Sequence, residues 1–399
     1  MSTYVRSDEA ARILGVSKAT LYAYVSRGRV GRTTAADGRT SLFAVDELEA
    51  VAGRGRRAPL EPRPTIDVQI ASAITVLGEG SVRLRGHDLA VLVAEGTFED
   101  VAELLWTDTW SPGTTWPSAN RSDLAAVSTL RQPGPDTSTG GHAPARQPGL
   151  GALAPVPRLA VAAHLLDAAH PGDDAPAAAR RLLAVAPTLV GSRRTSGQFA
   201  QRLAAAWRSE PSGELVAAVD LALSLLADHE LATSTLAVRV AASVRASAYG
   251  ALAAGLATVD GALHGSASSA AAEFLAECAA EGAAAVVRRH RADRRRIPGL
   301  GHKVYRAVDP RFELLMPAVR DLAAGDERLE VIDDVLAEVG RTVPHQPNID
   351  LALGALAWVA GLDADVPIFA IARIAGWAAH YTEELNEAPV RYRGLARTS

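Results

Sequence analysis

From Thr65 nearly to the C-terminus, apolar residues recur with the period of an α-helix, and the stretch is rich in Ala, Leu and Val. This periodicity predicts a long series of amphipathic or buried helices. The exception is Asp67–Arg85, where residues alternate and glycines stand at positions 78 and 80, which indicates a short hairpin. Because helical segments are many and strand patterns are few, the predicted fold class is all-α.

Glycines, prolines and polar clusters divide this pattern into separate segments. The predicted helices are Glu95–Trp110, Asp123–Arg131, Arg158–Ala169, Ala177–Val190, Gly197–Ser209, Ser212–Asp228, Ser234–Ala257, Ala267–Ala292, Arg311–Ala323, Glu327–Val339, Ile349–Ala360 and Pro367–Leu385. Gln132–Gly149 is a low-complexity segment and is predicted to be a loop.

Residues 1–53 read as a separate small unit. Ser7 and Ser17 are suited to cap two short helices, with Gly15 between them. The predicted elements are the helices Ser7–Ile13 and Lys18–Arg27, a hairpin or wing at Arg29–Phe43 with Asp37-Gly38 as its turn, and a third helix at Val45–Ala52.

The stretch SDEAARILGVSKATLYAYVSRGRV resembles the helix-turn-helix of MerR-type and excisionase-type DNA-binding proteins. In such modules the second helix presents its N-terminal residues to the major groove, which here indicates Ser17, Lys18, Thr20 and Tyr24. Residues 1–58 contain 10 Lys+Arg and 6 Asp+Glu, a net charge of +4 (10 − 6). The alternative is a helical module that docks on its own partner domain. Residues 54–64, RGRRAPLEPRP, predict a linker.

Composition limits the kinds of site and partner that the chain can have. A net charge of −4 argues against a protein that coats nucleic acid with its whole surface. The single cysteine, Cys278, excludes an internal disulfide and a cysteine-based zinc site. We find no apolar run long enough to span a bilayer and no signal pattern, so we expect a cytoplasmic protein without a membrane partner.

Residues 297–311, IPGLGHKVYRAVDPR, concentrate polar groups in a turn. Gly299 and Gly301 let the backbone come close to a ligand, because they carry no Cβ and tolerate positive φ. The donors suited to carbonyls, carboxylates and phosphates are His302, Lys303, Arg306 and Arg311. The segment therefore predicts a binding site, although such punctuation also marks ordinary turns.

Five further places hold polar groups that helix packing does not require. They are ADHE at 227–230, GALHG at 261–265, PNID at 347–350, Arg373 within FAIARIAGWAAH, and APVRYRG at 388–394. Each has a structural alternative. Asp350 could be a simple N-cap, His264 could close a turn, and the group at 228–230 could be a charged helix end. Arg373 could be the buried partner of Glu383 or Glu384.

Together these motifs resemble those of the citrate synthase family, which includes the 2-methylcitrate synthases. The resemblance covers residues from about 66 to 399 and keeps the order of the motifs. The similar segments are VRLRGHDLAVLVAEGTFEDVAELLW, ADHELATSTLAVRVAAS, GALHGSASSA, PGLGHKVYRAVDPR, PNIDLALGAL and FAIARIAGWAAHYTE. The resemblance implies an all-α fold with a large domain at 65–266 and 366–399 and a small domain at 267–365.

The resemblance also implies a reaction and its residues. Acetyl-CoA or propionyl-CoA would condense with oxaloacetate in a homodimer that needs no metal and no further cofactor. Asp350 would remove the acyl proton, His264 would donate to the thioester oxygen, and His302 would donate to the ketone of oxaloacetate. The residues implied to bind oxaloacetate are His229, His302, Arg311, Arg373 and the partner subunit's Arg393, with Arg391 as the alternative to Arg393. Those implied to contact CoA are Leu300, Gly301, Lys303 and Arg306.

Alternatives remain open. The family's HGGAN is here HGSAS, with Ser266 and Ser268, and the chain ends in RYRGLARTS, so details of the CoA and C-terminal contacts are in doubt. A three-histidine zinc site at His229, His264 and His302 is disfavoured because these motifs match a metal-free family. The rival functions are a transcription regulator that senses CoA esters or oxaloacetate, and a non-catalytic paralogue. Citrate and 2-methylcitrate synthesis are not separable from the sequence.

Overall fold

The computed structural model describes residues 4–14, 16–26, 30–35, 40–45, 47–48, 69–78, 80–130, 150–261, 265, 267–302, 304–305, 307–362 and 367–393. The chain folds into two compact units, Met1–Ala71 and Ser72–Ser399. The predicted linker at 54–64 lies outside the described residues, so its boundaries stay a prediction.

The first unit packs short helices on a small antiparallel sheet. Its elements are β1 (Tyr4–Arg6), α1 (Ser7–Leu14), α2 (Lys18–Ser26), β2 (Thr33–Thr34) and β3 (Ser41–Ala44), with the sheet in the order β1-β3-β2. Ala10, Leu21 and Phe43 are fully buried in its core. Both predicted helices are confirmed to within one residue. The strand β1 was not predicted, because three residues are too few to show an alternating pattern.

The predicted wing is confirmed in part. Strand β2 pairs antiparallel with β3, and Thr33 lies opposite Leu42. The predicted turn at Asp37-Gly38 lies outside the described residues. Of the predicted third helix, Val45, Glu47 and Leu48 are described and are helical.

The second unit begins with a sheet and continues as helices. Strands β4 (Thr75–Gly78), β5 (Ser81–Leu84) and β6 (His87–Asp88) are antiparallel, which confirms the predicted hairpin. The helices are α3 (Leu89–Glu95), α4 (Phe98–Thr107), α5 (Arg121–Ala126), α6 (Pro155–Ala169), α7 (Ala175–Leu189), α8 (Phe199–Ala204), α9 (Gly213–Leu226), α10 (Thr233–Ser243), α11 (Ala248–Val259), α12 (Ala267–Glu281), α13 (Ala283–Ala292), α14 (Pro310–Leu322), α15 (Arg328–Thr342), α16 (Ile349–Ala360) and α17 (Ile368–Leu385). The predicted all-α fold class is confirmed.

Two predicted helices are each broken in the structure. Ser234–Ala257 divides into α10 and α11 at Arg245, whose φ is +59°. Ala267–Ala292 divides into α12 and α13 at Gly282, whose φ is +85°. In both places apolar residues continue on either side of the break, so periodicity alone did not reveal it.

Helix α17 runs through the middle of the second unit and carries two polar residues of functional interest. All residues from Ala370 to Tyr381 are buried. Gly255 of α11 lets the helices approach, because a Cβ there would lie 2.9 Å from the ring of Trp377. Arg373 and His380 are therefore held in the protein interior and not on its surface. Within the described part of the chain, no helix is long and apolar enough to cross a membrane.

Candidate active site

The loop before His302 is joined to the start of α16 by backbone pairing. The amide of Gly301 donates to the carbonyl of Gln346 (2.8 Å), and the amide of Asn348 donates to the carbonyl of Gly299 (3.0 Å). The Asn348 side chain adds a bond from Nδ2 to the carbonyl of Gly301 (2.7 Å). Gly299 has a φ of +75°, and a Cβ there would lie 2.5 Å from that of Leu351, so only glycine fits.

Asp309 holds the first turns of α14 and α16 together. Its buried carboxylate accepts from the Arg311 side chain at Nε (3.1 Å) and Nη2 (2.8 Å), and from the backbone amide of Arg311 (3.0 Å). It also accepts from the amide of Ile349 at 3.2 Å. These bonds fix the guanidinium of Arg311 and leave its Nη1 to bind another acceptor.

The backbone fixes which nitrogen of His302 carries the proton. Nδ1 faces the amides of Val304 (3.1 Å) and Tyr305 (3.4 Å), which can only donate. Burial, and then the charge of Arg311, lowers the pKa of His302, so the ring is neutral near pH 7. A neutral ring with an accepting Nδ1 carries its proton on Nε2. His302 is therefore ready to donate a hydrogen bond from Nε2.

Tyr305 joins His302 to His229. Its ring stacks on His302 with centroids 4.7 Å apart, and its hydroxyl lies 3.1 Å from Nε2 of His229. The rings of His229 and His302 meet edge to face at 5.2 Å. Burial lowers the pKa of His229 well below its ordinary value, and the charges of Arg311 and Arg373 act in the same direction. Tyr305 was not predicted as a site residue, although its letter stands in the KVYR motif.

If His229 contacts oxaloacetate, as its motif predicts, we expect Tyr305→Phe to weaken the binding of that ligand. The variant keeps the ring stacking and loses only the hydroxyl, whose hydrogen bond is worth about 0.5–1.5 kcal/mol, or roughly a two- to tenfold rise in KM. Steady-state kinetics with varied oxaloacetate measure this change. Tyr249→Phe is the control, because the Tyr249 hydroxyl bonds Asp173 at 2.8 Å, away from this cluster. If the KM of Tyr305→Phe is no higher than that of the Tyr249→Phe control, the Tyr305–His229 hydrogen bond does not contribute to this binding site.

Arg373 is buried without an ionic partner in contact among the described residues. Its Nε and Nη1 have no hydrogen-bond partner there, and 2% of the residue is exposed. Burial lowers the pKa of Arg373 to about 10, against the opposing charges of Asp228 and Asp350. The predicted alternative, pairing with Glu383 or Glu384, is wrong because Arg239 pairs with both. A buried guanidinium with unused donors is suited to an anionic ligand.

Asp350 lies in the first turn of α16, but it is not the helix N-cap. Asn348 is the N-cap, and its side chain accepts from the Asp350 amide at 2.9 Å. The carboxylate of Asp350 is thus not used for capping, which excludes the structural alternative. Burial raises the pKa of Asp350, while the charges of Arg311 and Arg373 lower it. These couplings put Asp350, Arg311, Arg373 and His229 in one electrostatic cluster.

A cavity of about 360 Å³ opens beside His302. Its lining is formed by Gly301, His302, Tyr305, Ala307, Pro344, His345, Gln346 and Pro347. The segment 344–347 was not predicted to contribute, because nothing in its own letters distinguishes it from a loop before a helix. It faces the cavity because Leu300 pairs with Pro347 across an antiparallel bridge. Of the two predicted CoA residues that are described, Leu300 lies on this bridge, and Gly301 follows it and lines the cavity.

Comparison with protein families shows which family the chain belongs to. The family model for the citrate synthase C-terminal domain matches residues 67–394. The chain belongs to the citrate synthase family. A helix-turn-helix domain model matches residues 4–56, which agrees with the first unit.

Individual relatives agree with this assignment. A 2-methylcitrate synthase of Mycobacterium tuberculosis is 28% identical over 334 residues, which cover 76% of this chain and 81% of that protein. A citrate synthase of Synechocystis sp. is 34% identical over 186 residues, or 44% of this chain. The chain spans about half the length of the Synechocystis and Acidithiobacillus ferridurans citrate synthases, 47% and 49% respectively.

Solved structures share the fold. The crystal structure of citrate synthase from Pyrobaculum aerophilum superposes with a TM-score of 0.66 at 22% identity, covering 82% of this chain and 89% of that one. Citrate synthase from Thermoplasma acidophilum, solved as a ternary complex with carboxymethyl coenzyme A and oxaloacetate, gives 0.64 at 19% identity, with 84% and 96% covered.

The remaining predicted residues of the citrate synthase region have different outcomes. His264, Lys303 and Arg306 lie outside the described residues. Arg391 is bound within its own chain, because Nε and Nη2 donate to the two oxygens of Glu384 at 2.7 and 2.6 Å. Arg393 is exposed. In the parts of the chain described here, no group of three or more His, Cys, Asp or Glu residues could hold a metal ion.

The predicted DNA-contacting residues differ in their exposure. Ser17 and Lys18 are exposed at the start of α2, where the Ser17 hydroxyl accepts from the Thr20 amide at 3.2 Å and caps the helix. Lys18 pairs with Asp8 at 2.6 Å. Tyr24 is partly buried against the core of the first unit. DNA contact by these residues stays a prediction.

Proposed function

We propose that the citrate synthase region condenses an acyl-CoA, acetyl-CoA or propionyl-CoA, with oxaloacetate and hydrolyses the thioester product to citrate or 2-methylcitrate and CoA. The observation that carries this proposal is Arg373, whose buried Nε and Nη1 have no partner among the described side chains. A dicarboxylate would satisfy Arg373 and the remaining nitrogen of Arg311 together. The ternary complex named for the Thermoplasma enzyme supports the choice of oxaloacetate.

The cluster, together with His264, whose role rests on its motif alone, would provide the groups that this chemistry needs. Asp350 takes a proton from the carbon next to the thioester, and His264 donates to the thioester oxygen as negative charge develops there. That carbon then bonds to the ketone carbon of oxaloacetate. His302 donates from Nε2 to the ketone oxygen, which gains the charge and finally a proton. Water then cleaves the C–S bond, releasing the CoA thiol and leaving a carboxylate.

The cavity beside His302 supports the placement of CoA. Its volume of about 360 Å³ lies within the range of small-molecule sites and is sufficient for the adenine end of a nucleotide. The backbone of Leu300 and Gly301 would line the adenine site, with Arg306 and Lys303 directed to the phosphates. Residues 267–365 would form the smaller domain and close over the bound CoA, excluding water during condensation.

We also propose a homodimer in which the partner subunit's Arg393 completes the site. The intrachain pairing of Arg391 with Glu384 supports this choice, because a guanidinium bonded to both oxygens of one carboxylate is poorly placed to bind another. Arg393 is exposed and has no such bidentate pair among the described residues. This choice assigns the two C-terminal arginines separate roles, one structural and one in binding.

Thiol release tests the reaction. Purified protein with acyl-CoA and 5,5′-dithiobis(2-nitrobenzoate) should release free thiol only when oxaloacetate is added. Acetyl-CoA and propionyl-CoA, compared at equal concentrations, show which acyl group is used. A difference of one methylene is worth about 1–3 kcal/mol in a pocket, so the preferred substrate should stand out by roughly tenfold or more. Thiol release that does not depend on oxaloacetate would contradict the proposal.

As the pH is lowered, kcat should begin to fall at a higher pH than it would if the base were an aspartate with an ordinary pKa. Asp350 acts as a base only when ionised, and burial raises its pKa above the usual value near 3.9. Protonation therefore stops turnover before the bulk carboxylates titrate. The measurement is log kcat against pH, with circular dichroism at each pH to confirm the fold. A rate that stays level down to about pH 4 would contradict the assignment.

We propose DNA binding as a second function, carried by the first unit. The helix-turn-helix match over residues 4–56 and the exposed Ser17 and Lys18 favour it. The chain would then bind DNA near its own coding region and respond to CoA esters or oxaloacetate.

Lys18→Ala tests this second function. If Lys18 contacts a phosphate, we expect weaker binding to all sequences and a slope of log K against log salt that is smaller by about 1. Electrophoretic mobility shifts with the upstream DNA at several salt concentrations measure both quantities. Arg12→Ala removes an equal charge from exposed α1 and serves as the control. Identical slopes for both variants would exclude Lys18 as a contact.

A further inference from the structure

A chain of buried polar side chains leads away from the catalytic cluster. It consists of Glu384 and His380 on α17, Arg239 on α10, and Asp228 after α9, and these four residues form what we call the relay. The side chains of all four have 0% exposure. None was predicted as a site residue, although Arg239 and His380 stand in two of the family-like motifs. A buried polar atom without a partner is costly, and two atoms of the relay, Arg239 Nη2 and Asp228 Oδ1, have no hydrogen-bond partner among the described residues.

The hydrogen bonds give the relay a fixed direction. Arg239 Nε donates to Glu384 Oε2 at 2.9 Å, and Arg239 Nη1 donates to His380 Nδ1 at 2.9 Å. Because arginine nitrogens only donate, Nδ1 must accept, and the ring proton is on Nε2. Nε2 lies 3.4 Å from Asp228 Oδ2 and therefore donates to it. In each of these hydrogen bonds only one of the two atoms can be the donor.

The two ends of the relay meet different parts of the protein. At the outer end, Glu384 also accepts from Arg391 and from the hydroxyl of Tyr392 at 3.1 Å. At the inner end, Asp228 accepts from the Thr75 hydroxyl and from the Glu230 amide at 3.2 Å. Asp228 directly precedes His229, and its charge acts on Arg373.

The bonds on Asp228 hold its carboxylate in place, and neither it nor Arg373 uses the other as a hydrogen-bond partner. Asp228 is packed tightly onto α17, where a Cβ at Gly376 would lie 2.3 Å from its Oδ1. Its Oδ2 accepts from His380, Thr75 and Glu230, while its Oδ1 and the Nε and Nη1 of Arg373 have no hydrogen-bond partner within the described residues. A carboxylate released from His380 could instead turn to Arg373 and compete with an anionic ligand.

We propose that His380 and Arg239 are positioning residues that hold Asp228 away from Arg373, so that the oxaloacetate site and the C-terminal segment 391–393 are coupled through the relay. This inference rests on the proposed function, because it takes oxaloacetate as the ligand of Arg373. The relay contacts neither substrate. It acts by keeping the binding guanidinium unoccupied and by connecting it to the segment that carries Arg393.

Replacing His380 tests the inner half. His380→Leu should weaken oxaloacetate binding by about tenfold, the loss of one hydrogen bond to a charged group, and leave kcat within about twofold. His380→Gln should stay within about threefold of the wild type in oxaloacetate binding, because its carboxamide can accept from Arg239 and donate to Asp228. Calorimetry with oxaloacetate alone gives Kd, and kinetics give KM and kcat. Equal Kd values in the wild type and both variants would overturn the proposal.

Arg391→Met tests the coupling from the outer end. Because Arg391 lies outside the buried core, this variant remains available as a test if His380→Leu fails to fold. We expect about a threefold weaker Kd in the wild-type background and no added loss in the His380→Leu background, since the connection is already cut. Additive losses, or an unchanged Kd for Arg391→Met alone, would overturn the coupling. Oxaloacetate binding without turnover would overturn the proposed reaction and leave the relay standing. No binding by the wild type would overturn both.

Discussion

Asp350→Ala should lower kcat by about three orders of magnitude, while the KM for oxaloacetate changes by less than about threefold. A positioned general base contributes roughly 10²–10⁴ in rate, and in the proposed reaction Asp350 acts on the acyl-CoA and not on the ketone substrate. The fold should survive, because Asn348 caps α16 and the bond to the Asp350 amide uses only its backbone. Steady-state kinetics with both substrates varied measure the change.

Glu330→Gln is the matched control for Asp350→Ala. Glu330 is an exposed carboxylate in the first turn of α15, so both residues lie in the first turn of a helix and differ in environment. The control should keep wild-type kcat and KM within experimental error. If Asp350→Ala retains near-normal turnover, Asp350 is not the base. If it fails because it unfolds, loss of its circular dichroism signal will show that the reaction was not tested, and Asp350→Asn takes its place.

Arg373→Met should have opposite effects on stability and on binding. The KM for oxaloacetate should rise by about 10²–10³, the cost of removing one side of a buried charge pair. The free energy of unfolding should increase by about 1 kcal/mol or more, because a buried cation with unpaired donors is replaced by a side chain of similar shape that suits the interior. Denaturant unfolding of the ligand-free protein measures this second effect.

Arg158→Met is the control that shows whether replacing any buried arginine by methionine stabilises the protein. Arg158 is equally buried, but its guanidinium donates to the carbonyls of Leu153 and Leu189. Removing it leaves those acceptors unsatisfied, so unfolding should become easier by about 1–3 kcal/mol, with KM unchanged. If Arg373→Met also destabilises the protein, Arg373 has a structural partner and is not held for a ligand.

Much of the fold follows from apolar periodicity, because α16 and α17 bury nearly every residue that the helical pattern marks. The ends of α16 were predicted to the residue, since Asn348 and Gly361 are strong helix signals at its two ends. The breaks at Arg245 and Gly282 were missed, because neither interrupts the run of apolar residues. Backbone breaks of this kind depend on how helices pack against one another, which one sequence does not display.

The candidate site, like the fold, was predictable from the sequence only in part. His302, Arg311 and Asp350 could be named from their motifs, but the sequence did not show the tautomer of His302 or that Asn348 is the helix cap. Both depend on amides and side chains that tertiary structure brings together. Arg239 and His380 were unmarked for the same reason, because their partners are more than a hundred positions away in the sequence. The sequence therefore marks the candidate reacting groups more clearly than the residues that hold them in place.

The most direct test of the central claim is the mass of the product. Wild-type protein incubated with oxaloacetate and acetyl-CoA carrying two ¹³C atoms in its acetyl group should give a tricarboxylate that is heavier than citrate by both labelled carbons. Propionyl-CoA should give the methyl homologue if the acyl pocket accepts it. Absence of any labelled tricarboxylate with either acyl-CoA, from folded protein, would contradict the assignment of this cluster as a condensing site.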